Sequence, residues 1–263
     1  MTTLTTIIFF LLGLIIGSFL NVVILRYNTK KNLGGRSACM VCQHVLKWYE
    51  LIPLFSFIFL GGRCSVCKTK ISRQYPLVEF ATGIVFAGLF LKFQDLFKAD
   101  TIIFIFTYIY YALMFSLLII ISVYDLRHKI IPDMLVFFFG IFAFVGMFLF
   151  SGSGFYIHFP SILEFLSGII IALPFALIWL VSRGVWMGLG DAKLALGLGW
   201  FLGLSRVLSG VVMAFWSGAI IGIILLAFSK KHGMKSEIPF APFLVLGALI
   251  AFLFELHIFP IGF

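Results

Sequence analysis

Leu-Leu-Ile-Ile-Ile-Ser-Val-Tyr-Asp, residues 117–125, is a largely apolar run that ends on a carboxylate. A second acid, Asp191, directly follows Gly188-Leu189-Gly190 and stands before another apolar stretch. A carboxylate at the edge of a hydrocarbon segment costs about 2.5 to 3.5 kcal/mol on insertion scales, so an acid in this position usually serves a function. The two stretches therefore predict membrane helices that carry a functional pair, Asp125 and Asp191.

The composition of the whole chain is that of an integral membrane protein. Mean hydropathy is +1.17, and 62% of the 263 residues are hydrophobic while only 11% are charged. The formal charge of +9 would also suit a nucleic-acid partner, but basic residues in a membrane protein more often mark its cytoplasmic loops. We therefore expect membrane lipid around this chain and no nucleic-acid partner.

Hydropathy and helix breakers predict an all-α fold with about eight transmembrane helices. A bilayer core about 30 Å thick needs about 20 helical residues. The first predicted span is retained rather than cleaved, because no small-residue cleavage site follows it. The sixth is short and rich in glycine. The predicted spans are residues 4–25, 76–93, 102–124, 134–150, 161–182, 192–204, 207–228 and 239–259.

A basic loop joins the first and second predicted helices. Glu50 is its one acid, against nine basic residues: Arg26, Lys30, Lys31, Arg36, Lys47, Arg63, Lys68, Lys70 and Arg73. The positive-inside rule places this loop in the cytoplasm and both termini outside, which puts 16 of the 19 basic residues on the cytoplasmic side. Residues 51–60 are apolar but too few to cross a bilayer, so we expect an interfacial or lid-like segment there.

Three domains follow from this topology. Residues 1–25 form the first transmembrane helix, residues 26–75 the cytoplasmic four-cysteine loop, and residues 76–263 a seven-helix membrane domain. Asp125 follows the third span and Asp191 precedes the sixth, so both are predicted at the cytoplasmic interface.

Two carboxylates at one depth can hydrolyse a peptide bond. One takes a proton from water while the other, protonated, polarises the carbonyl oxygen, and close like charges cannot both ionise. Gly188 and Gly190 beside Asp191 would let the backbone approach a substrate or bend.

Alternative roles exist for each of these acids. Asp191 could instead cap a helix N-terminus. Asp125 could form a salt bridge with Arg127 or Lys129. Asp133 follows Pro132 on the same predicted side and could replace Asp125 in the pair.

The four cysteines of the chain form two C-x2-C pairs, Cys39/Cys42 and Cys64/Cys67. This spacing is close to that of a four-thiolate zinc ribbon, in which the metal is structural because no ligand position stays open. Disulfides or redox chemistry are alternatives, but disulfides do not suit the reducing cytoplasmic face. A small loop with little core of its own is stabilised by such a metal.

Several motifs together resemble the bacterial type IV prepilin peptidases. They are GSFLNV at 17–22, the two C-x2-C pairs, ISRQYPLVE at 71–79, Asp125-Leu126 leading to Ile131-Pro132-Asp133, GLGDAK at 188–193 and PFAPF at 239–243. They run in order along almost the whole chain. One departure is Ala241, which stands where glycine is common in the family.

The resemblance implies a GxGD-type intramembrane aspartic protease in the bacterial inner membrane. Such enzymes cut the basic leader from type IV prepilins and type II secretion pseudopilins at the cytoplasmic face. The catalytic pair falls on Asp125 and Asp191, with Lys193 in the same motif. Relatives that have the cysteine loop commonly also N-methylate the new amino terminus with S-adenosylmethionine.

The position of that cofactor does not follow from the motifs. Glu79 is a weak candidate for a polar contact, and an ion pair with Arg73 or Lys70 is the alternative role for it. A peptidase without methyltransferase activity, a non-enzymatic zinc scaffold and a transporter with an intramembrane proton relay remain alternative functions.

Overall fold

The computed structural model describes residues 2–29, 32, 34–151, 154–228 and 238–258. Some predicted features lie outside the described residues. They are the cytoplasmic lysines Lys30, Lys31, Lys230, Lys231 and Lys235, and residue 259 at the end of the eighth predicted span.

Most of the described chain is helical, which confirms the predicted fold class. The α-helices are α1 (Thr2–Arg26), α2 (Phe55–Phe59), α3 (Gln74–Ala99), α4 (Thr101–His128), α5 (Asp133–Leu149), α6 (Ile162–Ser182), α7 (Leu189–Leu202), α8 (Leu204–Phe228) and α9 (Ala241–Leu253). A 3-10 helix, Trp48–Leu51, precedes α2. Strands β1 (Phe150–Ser151) and β2 (Gly154–Phe155) pair antiparallel. This hairpin was not predicted, because two-residue strands leave no periodic pattern in a sequence.

A helix occupies each of the eight predicted spans, but they differ in length. In the part of the chain that the structure describes, five are long and apolar enough to cross a membrane, namely α1, α3, α4, α6 and α8. Helices α5 and α9 are apolar but shorter, and α7 has 14 residues. At 1.5 Å per residue α7 is about 21 Å long, less than a hydrocarbon core of about 30 Å. Eight spans therefore stay a prediction.

The chain forms two compact units, Met1–Asp95 and Leu96–Phe263. In the first unit, α1 packs on α3 through small residues. A Cβ on Gly17 would lie 2.7 Å from the Cα of Glu79, and one on Gly13 would lie 2.8 Å from the Cα of Gly83. The side-chain amide of Asn21 donates to the carbonyl of Tyr75 at 3.1 Å. Close approach through glycine with an interhelical amide bond is typical of membrane helices.

The loop between α1 and α3 is held by two isolated β-bridges and by one buried acid. The bridges join Ala38 to Val45 and Arg63 to Lys70. Glu50 accepts a hydrogen bond from the backbone N–H of Lys47 at 2.7 Å and lies 3.2 Å from Nε2 of His44. The Lys47 hydrogen bond, with weaker contributions from Ser65 and His44, holds the pKa of Glu50 below its usual value.

In the second unit, the glycine-rich α7 is central, because it packs against both α5 and α6. A Cβ on Gly199 would lie 2.5 Å from the Cα of Gly168 in α6, and one on Gly197 would lie 2.7 Å from the ring of Phe139 in α5. Residues 194, 195 and 198 of α7 are fully buried. The glycines that make this predicted span atypical of a membrane helix are thus the positions at which the neighbouring helices contact its backbone.

Candidate active site and metal centre

Asp125 lies in the last turn of α4, where it is only 5% exposed. The C-cap residue of this helix is Lys129, which has a left-handed backbone (φ 54°) and whose N–H donates to the carbonyl of Asp125 at 2.7 Å. The carboxylate oxygen Oδ2 of Asp125 accepts a hydrogen bond from the N–H of Ala241 at 3.3 Å. Ala241 is the first residue of α9, and the first N–H groups of a helix have no partner within it. The start of α9 therefore supplies a donor to Asp125.

Asp191 lies in the first turn of α7 and is 8% exposed. The N-cap residue of this helix is Gly188, so Asp191 occupies the third helical position rather than the cap. Its Oδ1 atom is buried and has no hydrogen-bond partner among the described residues. A buried carboxylate oxygen without a partner is costly to maintain and is typical of a functional position.

Asp125 and Asp191 are close enough to interact electrostatically, although they come from different helices. The two flanking glycines have distinct surroundings. Gly190 packs tightly, since a Cβ there would lie 2.8 Å from the Cβ of Ile131 in the α4–α5 connection. Gly188 faces the carboxylate, since a Cβ there would lie 3.8 Å from Oδ2 of Asp191. The ends of α4, α7 and α9 thus meet around two buried acids.

Asp133 occupies a different position. It begins α5, and its Oδ1 atom lies 2.7 Å from Nζ of Lys193. The side chain of Asp133 is 74% exposed and that of Lys193 is 45% exposed. The structure thus groups Asp125 with Asp191, and Asp133 with Lys193.

The four cysteines come together in the loop of the first unit. Their sulfur atoms all lie within 4.8 Å of one another. The distance from Cys39 Sγ to Cys67 Sγ is 3.7 Å, and from Cys42 Sγ to Cys64 Sγ it is 3.9 Å. Tetrahedral ligands about 2.3 Å from zinc are separated by about 3.8 Å, whereas a disulfide needs about 2.05 Å. The cluster therefore fits a four-thiolate metal centre.

Thr69 supports this cluster from the same loop. Its hydroxyl lies 3.3 Å from Sγ of Cys67, and this hydrogen bond contributes most to lowering the pKa of Cys67 to about 6. Because thiolates rather than thiols bind metals, the Thr69 hydroxyl favours the ligand form of Cys67 when it donates to the sulfur.

Glu79 is buried in α3, and the sequence did not predict its partner. Its Oε2 atom accepts a hydrogen bond from the backbone N–H of Leu54 at 2.9 Å, a partner distinct from Arg73 and Lys70, which the alternative role named. Leu54 has an unusual backbone (φ 60°, ψ −52°) and directly precedes α2. No sequence signal identifies this amide, because the contact depends on how the loop folds. The Ala241 amide was also missed, although the motif at 239–243 marked its position.

Comparison with known families agrees with this geometry. Residues 11–93 match the family described as Bacterial Peptidase A24 N-terminal domain, and residues 112–226 match the Type IV leader peptidase family. A curated Pseudomonas aeruginosa protein is 31% identical over 277 residues, which cover 92% of this chain and 88% of that protein. This chain belongs to the type IV leader peptidase family. The resemblance inferred from the motifs is confirmed.

Other leader peptidases of this family are similarly related. A Bacillus subtilis protein is 30% identical over 251 residues, which cover 94% of this chain and 93% of the relative. A Myxococcus xanthus protein is 33% identical over 235 residues, covering 87% of this chain and 65% of the relative. All three curated relatives are named "Prepilin leader peptidase/N-methyltransferase". No solved structure matches the chain.

Proposed function

We propose that this chain is an aspartic endopeptidase that removes the basic leader from type IV prepilins and pseudopilins, and that it N-methylates the new amino terminus. The observation that carries the proposal is the pair of buried carboxylates, Asp125 and Asp191, at converging helix ends. The names of its relatives support the substrate class and the second activity.

The arrangement of the two acids suits hydrolysis by an activated water. Two close carboxylates share one proton, because both cannot carry charge at short range. One acid then removes a proton from water while the other donates a hydrogen bond to the scissile carbonyl. The N–H of Ala241 orients the carboxylate of Asp125. The buried Oδ1 atom of Asp191 has no partner among the described residues, so a water or substrate group admitted to the site would supply one.

The position of the acids along their helices suits a prepilin. Such a substrate has a basic leader followed by an apolar helix, so its scissile bond lies at the membrane surface. Asp125 ends a candidate span and Asp191 begins a helix, which places both at an edge of the bundle. The positive-inside rule assigns this edge to the cytoplasmic side of the inner membrane, with both termini outside. Asp133 and Lys193 form an exposed ion pair there and support the site without taking part in the chemistry.

The four-cysteine loop holds a structural zinc ion in this proposal. Cys39, Cys42, Cys64 and Cys67 would be its ligands, and the metal would fix a loop that has little apolar core. S-adenosylmethionine would supply the methyl group for the second activity. Glu79 stays the weak candidate to contact this cofactor, and its Oε2 atom already accepts a hydrogen bond from the Leu54 amide.

The test is the mass of a prepilin-like peptide after incubation with the purified protein, with and without S-adenosylmethionine. We expect the leader to be lost in both cases and the mature product to gain a methyl group only with the cofactor. Cleavage without methylation would contradict the second activity alone. If a metal-loaded, correctly inserted protein left the peptide intact, the proposed protease function would be wrong, and a scaffold or transporter would replace it.

A further inference from the structure

The exposed charge of the four-cysteine loop is of one sign. Between residues 34 and 73 the structure describes six basic residues, all exposed: Arg36, Lys47, Arg63, Lys68, Lys70 and Arg73. The one acid of this stretch, Glu50, is buried against the Lys47 amide and the His44 ring. The loop therefore presents positive charge with no compensating acid of its own.

The same loop exposes large apolar side chains, which are densest in one short segment. We call residues 47–60, which contain the 3-10 helix and α2, the interfacial segment. Within it Trp48 is 77% exposed and Phe59 is 85% exposed, and Leu51, Phe55 and Ile58 are exposed as well. The Trp48 and Tyr49 rings meet edge to face at 5.8 Å, and Nζ of Lys47 lies 5.9 Å from the Tyr49 ring centroid. Lysine beside exposed tryptophan and phenylalanine is typical of membrane-interface segments.

The hydrogen bond between Glu79 and Leu54 fixes the depth of this segment. Glu79 lies five residues after the start of α3, about 7.5 Å along the helix axis. Because α3 is a candidate span, Leu54, which directly precedes α2, is held beside the second turn of a membrane helix. The exposed side chains of Phe55 and Phe59 therefore lie close to the depth expected for the bilayer surface.

From these three observations we infer that the interfacial segment is a docking surface for the anionic headgroups of the membrane in which the chain sits. Its apolar side chains enter the headgroup and acyl boundary, and the surrounding cations bind lipid phosphates. Each Lys or Arg near an anionic surface adds attraction that salt screens. A basic prepilin leader is a poor occupant, because the six cations would repel it. The inference does not depend on the proposed catalytic activity.

Hydrogen exchange of the intact protein tests this inference. The protein would be placed in lipid nanodiscs made of phosphatidylcholine alone or enriched in phosphatidylglycerol. We expect the backbone amides of residues 55–60 to exchange at least about tenfold more slowly in the phosphatidylglycerol discs, with the difference shrinking at high salt. Equal exchange rates in the two lipids, fast or slow, would overturn the inference.

Two variants separate lipid docking from changes in the loop fold. Lys47→Gln combined with Arg63→Gln removes two cations of the loop, and Arg127→Gln is a control that removes one exposed cation from the end of α4, outside the loop. The first variant should lose most of the lipid-dependent protection while it keeps its bound zinc. Retention of full protection by the first variant, or an equal loss in the control, would contradict a role for these cations.

Discussion

The backbone N–H of Ala241 donates a hydrogen bond to Oδ2 of Asp125 at 3.3 Å, across 116 residues of sequence. Ala241 is fully buried, so neither partner can turn to solvent when the contact is lost. The start of α9 therefore positions one member of the candidate catalytic pair.

Enlarging Ala241 should disturb Asp125 without touching its side chain. Ala241→Leu would overpack a buried position, which costs about 1 to 3 kcal/mol, and would displace the donor N–H. We expect cleavage of a prepilin peptide to fall at least about tenfold, in kcat rather than in KM. Ala241→Gly keeps the N–H and should cleave at nearly the wild-type rate. Equal rates for the leucine and glycine variants would show that the amide does not position Asp125.

Replacing either paired acid by its amide should abolish most of the proteolysis. Asp125→Asn or Asp191→Asn should each lower the cleavage rate by about 10² to 10⁴. The reason is that an asparagine side chain cannot take up the proton removed from water and give it back. Asp133→Asn is the matched control and should retain most activity, because the exposed Asp133 side chain pairs with Lys193. If the Asp133 variant were inactive and the Asp125 variant active, the pair would have to be reassigned.

Replacing one cysteine should empty the metal centre. Cys67→Ser removes one of four sulfur ligands, and we expect the zinc content to fall at least about tenfold. Val66→Ala changes the exposed neighbour of Cys67 and should keep its metal. Elemental analysis of the purified proteins gives the result. An unchanged zinc content in the serine variant would be evidence against the four-thiolate site.

The buried Glu50 should make the stability of the loop depend on pH. Its pKa is lower in the folded protein than the usual value of about 4.3. Its charged form therefore stabilises the loop above about pH 4.3, and this contribution is lost as the pH falls through the folded pKa. We expect Glu50→Gln to destabilise the loop by about 1 to 3 kcal/mol at pH 7 and progressively less in acid.

Proteolysis of the loop in increasing urea measures that difference at each pH. Glu164→Gln, which changes an exposed acid of α6, should leave the loop unaffected and serves as the control. A difference between Glu50→Gln and the wild type that stayed constant from pH 7 to a pH below the folded pKa of Glu50 would exclude the charged form of Glu50 as its cause.

The contact between Glu79 and Leu54 should hold the start of α2. Glu79→Leu removes the acceptor of the Leu54 N–H, whereas Glu79→Gln retains one. We expect the amide of Leu54 to exchange at least about tenfold faster in the leucine variant and at nearly the wild-type rate in the glutamine variant, because a lost buried hydrogen bond costs about 1 to 3 kcal/mol. Equal exchange in the two variants would show that another contact holds Leu54.

The helices and the clustering of the cysteines could be predicted from the sequence because both depend on local patterns. Apolar runs with breakers located each helix, and C-x2-C spacing grouped the four sulfurs. The sequence does not decide whether the short α7 crosses the membrane, because most of its apolar residues pack against other helices. The pairing of Asp133 with Lys193 and the amide donors of Leu54 and Ala241 depend on tertiary packing, which leaves no periodic trace in the chain.

Three helix ends meet at the aspartates: α4 stops there, and α7 and α9 start there. Each end exposes backbone groups that no turn of its own helix can satisfy. The site is therefore a place in the described part of the bundle where the unpaired backbone groups of several helix ends come together. A substrate helix that unwinds before it is cut also has backbone N–H and C=O groups without partners. At this site those groups can form hydrogen bonds with the free backbone groups of the three helix ends.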